Sequence, residues 1–194
     1  MCYTFTMENV KILAIVGMSG SGKSVAVDYL TDKNYPKVYF GGMIYKEMEK
    51  RGIIRTEDGE SEKEFREMIR ETEGKDWVVK QVIAEAKDLI AAGQKRIILD
   101  GVYSWTEYKT LKHEFPTCLT FIAIVVDKKL RYNRVAMRPE RSFDITAIRE
   151  RDRSEIENLE KGGPIVAADY YVLNNGTTED MKNRLDDILK EIEF

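Results

Sequence analysis

The chain has one histidine, two cysteines, four prolines and no excess of positive charge, and each shortage closes off a class of protein. His113 lies in a predicted helix, "TEYKTLKHEF", with no acid and nucleophile arrangement beside it, so it reads as a surface residue and not as a catalytic one. Cys2 and Cys118 stand far apart, which argues against a disulfide framework and a cysteine zinc site and suits a reducing cytoplasm. Lysine and arginine total 31 against 34 aspartates and glutamates, a net charge of −3, so nothing draws the chain to a polyanion and an RNA-processing role finds little support. The longest apolar run is far short of the ~20 residues of a membrane helix. Residues 1–9 lack a basic start followed by an apolar stretch; they are expected to be a tail and not a secretion signal, with Met7 an alternative start.

What is present suits one α/β domain over residues 10–194. Continuous apolar, β-branched runs predict strands over 10–16, 37–40, 96–99, 119–126 and 170–173, each of the kind covered on both faces. Between them, Val79, Val82, Ile83, Ala86, Leu89 and Ile90 recur at helical steps with Gly93 as a stop. Met181, Leu185, Ile188, Leu189 and Ile192 do the same after a capping pattern at Thr177 and Asp180. Strand and helix alternate, which predicts a parallel sheet with helices on both faces and ligands beyond the carboxyl ends of its strands. The charged stretch after the second strand reads as a small inserted lobe, with a turn at Glu57 to Gly59. A cluster of arginines surrounds Pro139.

"GMSGSGKS" follows the first strand and opens the next helix. Gly17, Gly22, Lys23 and Ser24 satisfy the spacing of a phosphate-binding loop, in which successive backbone N–H groups and the helix dipole hold phosphates. Gly20 relieves crowding, Ser19, Ser21 and Val25 complete the loop, Lys23 neutralises the β and γ phosphates, and Ser24 ligates Mg²⁺. The acidic partner for that metal is expected at the end of another strand: Asp100, followed by Gly101, is preferred to Asp127, which runs directly into "DKK".

Together with "FGGMIYKEM", "ILDG", "RVAMRPERSFD", "RERDRSEIENL" and "AADYYVLNNGT", this loop resembles the P-loop nucleoside monophosphate kinases. Within them it is most similar to archaeal adenylate-kinase-related, dephospho-coenzyme A kinase-like proteins. The resemblance implies a three-layer P-loop NTPase fold: a five-stranded parallel sheet, a helical acceptor lobe at about 42–75 and a short arginine-rich lid at about 138–146. It implies ATP with Mg²⁺, and a donor site including Arg134, Asn175 and Gly176. Arg138, Arg141 and Arg151 are implied as catalytic phosphate ligands. Gly41, Gly101, Tyr103 and Arg153 are implied on the acceptor side.

The departures bear on the acceptor. Tyr45 stands where the family carries a phosphate-gripping arginine, and Tyr103 and Ser104 replace a proline and a second such arginine. Arg70 is the expected substitute, with Lys46 and Arg55 as further options. "KVYFGGMIYK" has no carboxylate before Glu47 to take a proton from a sugar hydroxyl, so a nucleoside monophosphate-type acceptor is expected. The alternatives are a dephospho-coenzyme A kinase-like hydroxyl kinase and a regulatory P-loop ATPase without a small-molecule acceptor. Trp105 is a candidate pocket wall, and Trp77 a core residue.

Overall fold

The computed structural model describes residues 8–56, 60–137 and 144–194. Five strands form one sheet: β1 (Lys11–Val16), β2 (Lys37–Tyr39), β3 (Arg96–Asp100), β4 (Leu119–Val125) and β5 (Tyr170–Leu173). Their order is β2-β3-β1-β4-β5 and every pairing is parallel. The predicted strands therefore stand with their ends moved by a residue or so. β1, β3 and β4 are apolar on both faces because helices cover both, whereas β5 is an edge strand with Tyr171 and Leu173 half or more exposed.

Side chains alternate between two cores. Ile12, Ala14, Ile97, Leu99 and Phe121 pack against α4 (Trp77–Ala91) and α5 (Trp105–Glu114). Leu13, Ile15, Ile98 and Ile122 face α1 (Lys23–Thr31) and α9 (Thr178–Glu191). Trp77, as expected, packs on the core. A third, separate cluster of Ile44, Met48, Phe65 and Ile69 joins α2 (Phe40–Lys50) to α3 (Glu60–Thr72), so the charged stretch after β2 has its own apolar seam. The chain continues from β4 through α6 (Lys128–Ala136), α7 (Ile145–Glu157) and the short α8 (Gly162–Val166). Among the described residues no helix is long and apolar enough to cross a membrane.

Because β1 is central and both neighbours run parallel to it, its carboxyl end opens into the crevice where crossovers leave in opposite directions. Ile15 pairs with Asp100, and Asp100 with Tyr39, so the loop after β1, the end of β3 and the end of β2 meet at one rim.

The loop after β5 leads into α9 through a capping box: Thr177 Oγ1 accepts from the Asp180 N–H, and the Asp180 carboxylate accepts from the Thr177 N–H. Thr177→Ala should lower the unfolding free energy by about 1 kcal/mol in a urea titration. No shift in the midpoint would mean that packing of Met181 and Leu185 alone sets this helix.

Candidate active site

The loop between β1 and α1 is shaped by what a side chain would meet. Gly17 has φ +149°, and a Cβ there would lie 2.5 Å from the Ile124 carbonyl oxygen. Gly22, at φ +98°, caps α1 in a left-handed conformation. The N-terminal end of α1 therefore faces the crevice, with Lys23, Ser24 and Val25 of its first turn on the cleft wall, where the helix dipole favours negative charge. Lys23 Nζ folds back over the loop, donating to the Gly17 oxygen at 2.7 Å and the Met18 oxygen at 3.2 Å.

A cleft of about 660 Å³ opens in front of this loop, walled by Lys23, Ser24, Asp100, Arg134, Arg151 and Lys161 among others. Burial pushes the Asp100 carboxyl above its ordinary value, against the opposing charges of Lys37 and Lys23. Lys37 borders the same cleft.

The back of the loop is gripped on both sides of Ser19. Arg131 Nη1 donates to the Ser19 oxygen at 2.9 Å and to Asp152 at 2.8 Å, and Tyr132 donates to the same carboxylate. The Ser19 N–H donates to Glu155 at 3.3 Å, and Glu155 also pairs with Lys161 at 3.0 Å and Arg151 at 3.3 Å. Burial pushes the Glu155 carboxyl up, but Lys161, by charge and hydrogen bond, together with Arg151 holds it below its usual value. From the other flank Asn174 Nδ2 donates to the Ser21 oxygen at 2.8 Å, while Arg134 donates to the Asn174 oxygen at 2.8 Å.

A second cavity of about 270 Å³ adjoins the first, and Tyr39, Tyr103, Arg151 and Glu155 border both. It is walled on one side by Arg66, Arg70 and Lys75, and on others by Tyr45, Ile44 and Val78. Tyr45 stacks beneath the Arg55 guanidinium at 4.0 Å. Glu107 on its wall accepts from the Tyr103 and Ser104 N–H groups at 2.7 and 3.0 Å, and burial raises its pKa. Burial likewise raises the Tyr103 hydroxyl above its ordinary value, so this tyrosine is a neutral wall.

Of the expected site residues, Ser19, Gly20, Gly22, Lys23, Ser24, Val25, Asp100 and Arg134 border the first cleft, Gly41, Tyr45 and Arg70 the second, and Tyr103 and Arg151 both. Gly17 and Ser21 shape the loop from behind; the Ser21 hydroxyl is buried without a hydrogen-bond partner. Five expectations fare differently. Arg153 is turned to solvent, 76% exposed and paired with Glu157, so it does not reach the cavities. Asn175 and Gly176 do not line the cleft: Asn175 accepts from the Asp127 N–H, and the neighbour Asn174 reaches the loop instead. Gly101 turns the chain at φ +99° beneath the Tyr103 ring without lining either cavity. Trp105 stacks on Tyr108 at 4.9 Å and is a pocket wall as expected, but of a separate, open cavity with Ile156, Glu160, Gly162 and Gly163. Lys46 pairs with Glu85 and Arg55 with Glu62, which leaves Arg70 as the one of these three expected cations that lines the second cavity. Arg138 and Arg141, and the turn at 57–59, lie outside the described residues.

Sequence reading missed Arg66, Lys75, Lys37, Arg131, Asn174, Glu155 and Lys161. Arg66 had a signal, since it precedes Arg70 by one helical turn and shares its face. Asn174→Ala removes the donor to the Ser21 carbonyl and should cost about 1–2 kcal/mol of unfolding free energy. It should also weaken binding of a polyphosphate measured by calorimetry; unchanged stability and binding would show that the loop keeps its shape without this tie.

Residues 13–160 match the model of a family described as an AAA domain. A UPF0200 protein of Sulfurisphaera tokodaii is 31% identical over 189 residues, covering 96% of this chain and 99% of that protein. In fold the chain is similar to shikimate kinase from Acinetobacter baumannii in complex with shikimate, with a TM-score of 0.58 at 14% identity over 95% of this chain and 96% of that one. It is also similar to a gluconokinase from Sinorhizobium meliloti 1021, with a TM-score of 0.52 at 15% identity over 95% and 96%. At such identities the likeness is one of fold, and that fold is P-loop kinase-like. With its loop, its sheet order and these matches, the chain belongs to the UPF0200 family and to the AAA-domain family whose model spans residues 13–160.

Proposed function

We propose that the protein transfers the γ-phosphate of ATP to the phosphate of a small nucleoside monophosphate-type acceptor in the cytoplasm. The observation that carries this reading is the cationic wall of Arg66, Arg70 and Lys75 in a cavity that shares Tyr39, Tyr103 and Arg151 with the phosphate-loop cleft. A phosphate held there faces the end of a triphosphate held by the loop. The aromatic and aliphatic walls, Tyr45, Ile44 and Val78, suit a flat base. In this reading α2 and α3 form the acceptor lobe at about 42–75.

Phosphoryl transfer asks mainly for positioning and charge compensation. The γ-phosphorus parts from the bridging oxygen, whose electron pair leaves with ADP, while an oxygen of the acceptor phosphate supplies the pair for the new bond. That oxygen is already ionised near neutral pH, so no general base is required. This fits the acceptor cavity, where both bordering carboxylates, Glu107 and Glu155, already accept from backbone N–H groups. Lys23 and Arg151 offset the charge on the transferring group.

The residues present fit Mg²⁺. Ser24 and Asp100 border one cleft, and a hydroxyl with a carboxylate is the oxygen donor set that this ion takes beside phosphates and water. When bound, it would neutralise charge on the nucleotide phosphates.

A panel of nucleoside monophosphates and dephospho-coenzyme A, incubated with ATP and resolved by chromatography, should give a phosphorylated product from a monophosphate. Turnover of dephospho-coenzyme A alone would favour a hydroxyl kinase, and ATP loss independent of every acceptor would favour a regulatory ATPase.

Two substitutions should separate the cavities. Lys23→Ala should lower kcat by about 10² or more while the unfolding midpoint barely moves. Arg70→Ala should raise the acceptor KM about tenfold or more and leave the ATP KM alone, as expected for loss of one charge-assisted phosphate contact. Equal effects of both on the ATP KM would contradict two adjoining sites.

A further inference from the structure

We infer that Lys161 is a second catalytic lysine, whose ammonium touches the γ-phosphate where the ATP cleft meets the acceptor cavity. The inference rests on the phosphoryl-transfer reading of this site. Lys161 follows α7 and caps the short α8, a position that mixed-charge sequence would leave in solvent. Instead it is 2% exposed and borders the cleft that also holds Lys23. Its Nζ lies 4.9 Å from the centre of the Tyr103 ring and 3.0 Å from Glu155. Tyr103 and Glu155 both border the two cavities, so the ammonium stands at their junction.

Neutralising Glu155 does not by itself account for that lysine. Glu155 already accepts from Arg151 and from the Ser19 N–H. A buried ammonium is costly unless its partners are several and well placed. An ammonium carries three N–H donors, and a phosphoryl group in flight spreads charge over three equatorial oxygens. Lys23 approaches those oxygens from the loop, and Lys161 from the side of α7 and α8. The chain of contacts from Lys161 through Glu155 to the Ser19 N–H fixes this second cation relative to the phosphate loop, so it needs no reorganisation when charge develops. In the step, the bond from the γ-phosphorus to the ADP oxygen breaks and the bond to the acceptor oxygen forms, while Lys161 keeps its protons and serves only as a donor.

The test removes the ion pair as a unit. Wild type and the double variant Lys161→Met with Glu155→Gln are titrated calorimetrically with ADP and with the imido analogue of ATP, both with Mg²⁺. Losing one charged hydrogen bond to the γ-phosphate predicts that the ratio of analogue affinity to ADP affinity falls about tenfold or more, whatever loss both nucleotides share through Glu155. Where transfer is measurable, kcat should fall about 10²-fold or more. If the lysine merely balanced Glu155, the double variant would bind both nucleotides as wild type does, or lose both alike, and either result overturns the assignment. Wild-type protein that binds the analogue no better than ADP would overturn it as well. Should the double variant not fold, Lys161→Gln, which keeps a donor beside Glu155, reads the same ratio. The predicted split of affinities without phosphate uptake by any acceptor would sink the acceptor reading and leave the lysine assignment standing.

Discussion

The hydrogen bonds that hold Ser19 from both sides are the constraint on which the rest of the site depends. A loop that binds phosphate through its own amides must keep those amides pointing outward while no ligand holds them, and glycines alone make such a loop loose. Here Arg131 takes the Ser19 carbonyl, Glu155 takes its N–H, and Asn174 takes the carbonyl of Ser21. The grips come from α6, from α7 and from the end of β5, so three separate elements register on one turn of backbone. The crevice at the end of β1 is a topological consequence of the strand order; its shape is a consequence of these side chains.

The same grips distribute charge. Behind the loop Arg131 is paired with Asp152. In front of it Lys23, Arg134, Arg151 and Lys161, the last paired with Glu155, border the first cleft, and Arg66, Arg70 and Lys75 border the second cavity. A chain with net charge −3 thus concentrates cations where two cavities meet, which a whole-chain average conceals. The apolar seam of Ile44, Met48, Phe65 and Ile69, joined to the main core through Trp77 and Val78, holds α3 with Arg66 and Arg70 against α2.

The sheet was legible because strands buried on both faces must be continuous apolar runs, and β1, β3 and β4 are such runs. The phosphate loop was legible because its glycines answer to local backbone geometry, and the cap of α9 because Thr177 and Asp180 are three residues apart. What joins the loop to α6 and α7 was not. Ser19 lies 112 residues from Arg131 and 136 from Glu155, and a mixed run of arginines and glutamates looks the same whether its helix faces water or a cleft. Arg151 and Arg153 illustrate this: about 200° of helical rotation separates them, which sends one to the cavities and the other to solvent. Reading the helix as a list of arginines, and not as a surface with two sides, credited both. After β5 it is Asn174 that reaches the loop, while Asn175 turns to the Asp127 N–H, because in an extended strand end one residue changes the face.

In the proposed reading the backbone between β1 and α1, the side chains of α7 and Lys161 form one phosphate-binding surface. Amide hydrogen exchange with and without ATP and Mg²⁺ tests it most directly. The account predicts protection concentrated in residues 17–25 and 151–161 together. Protection absent from both, or confined to a region away from the ends of β1 and β3, would contradict it.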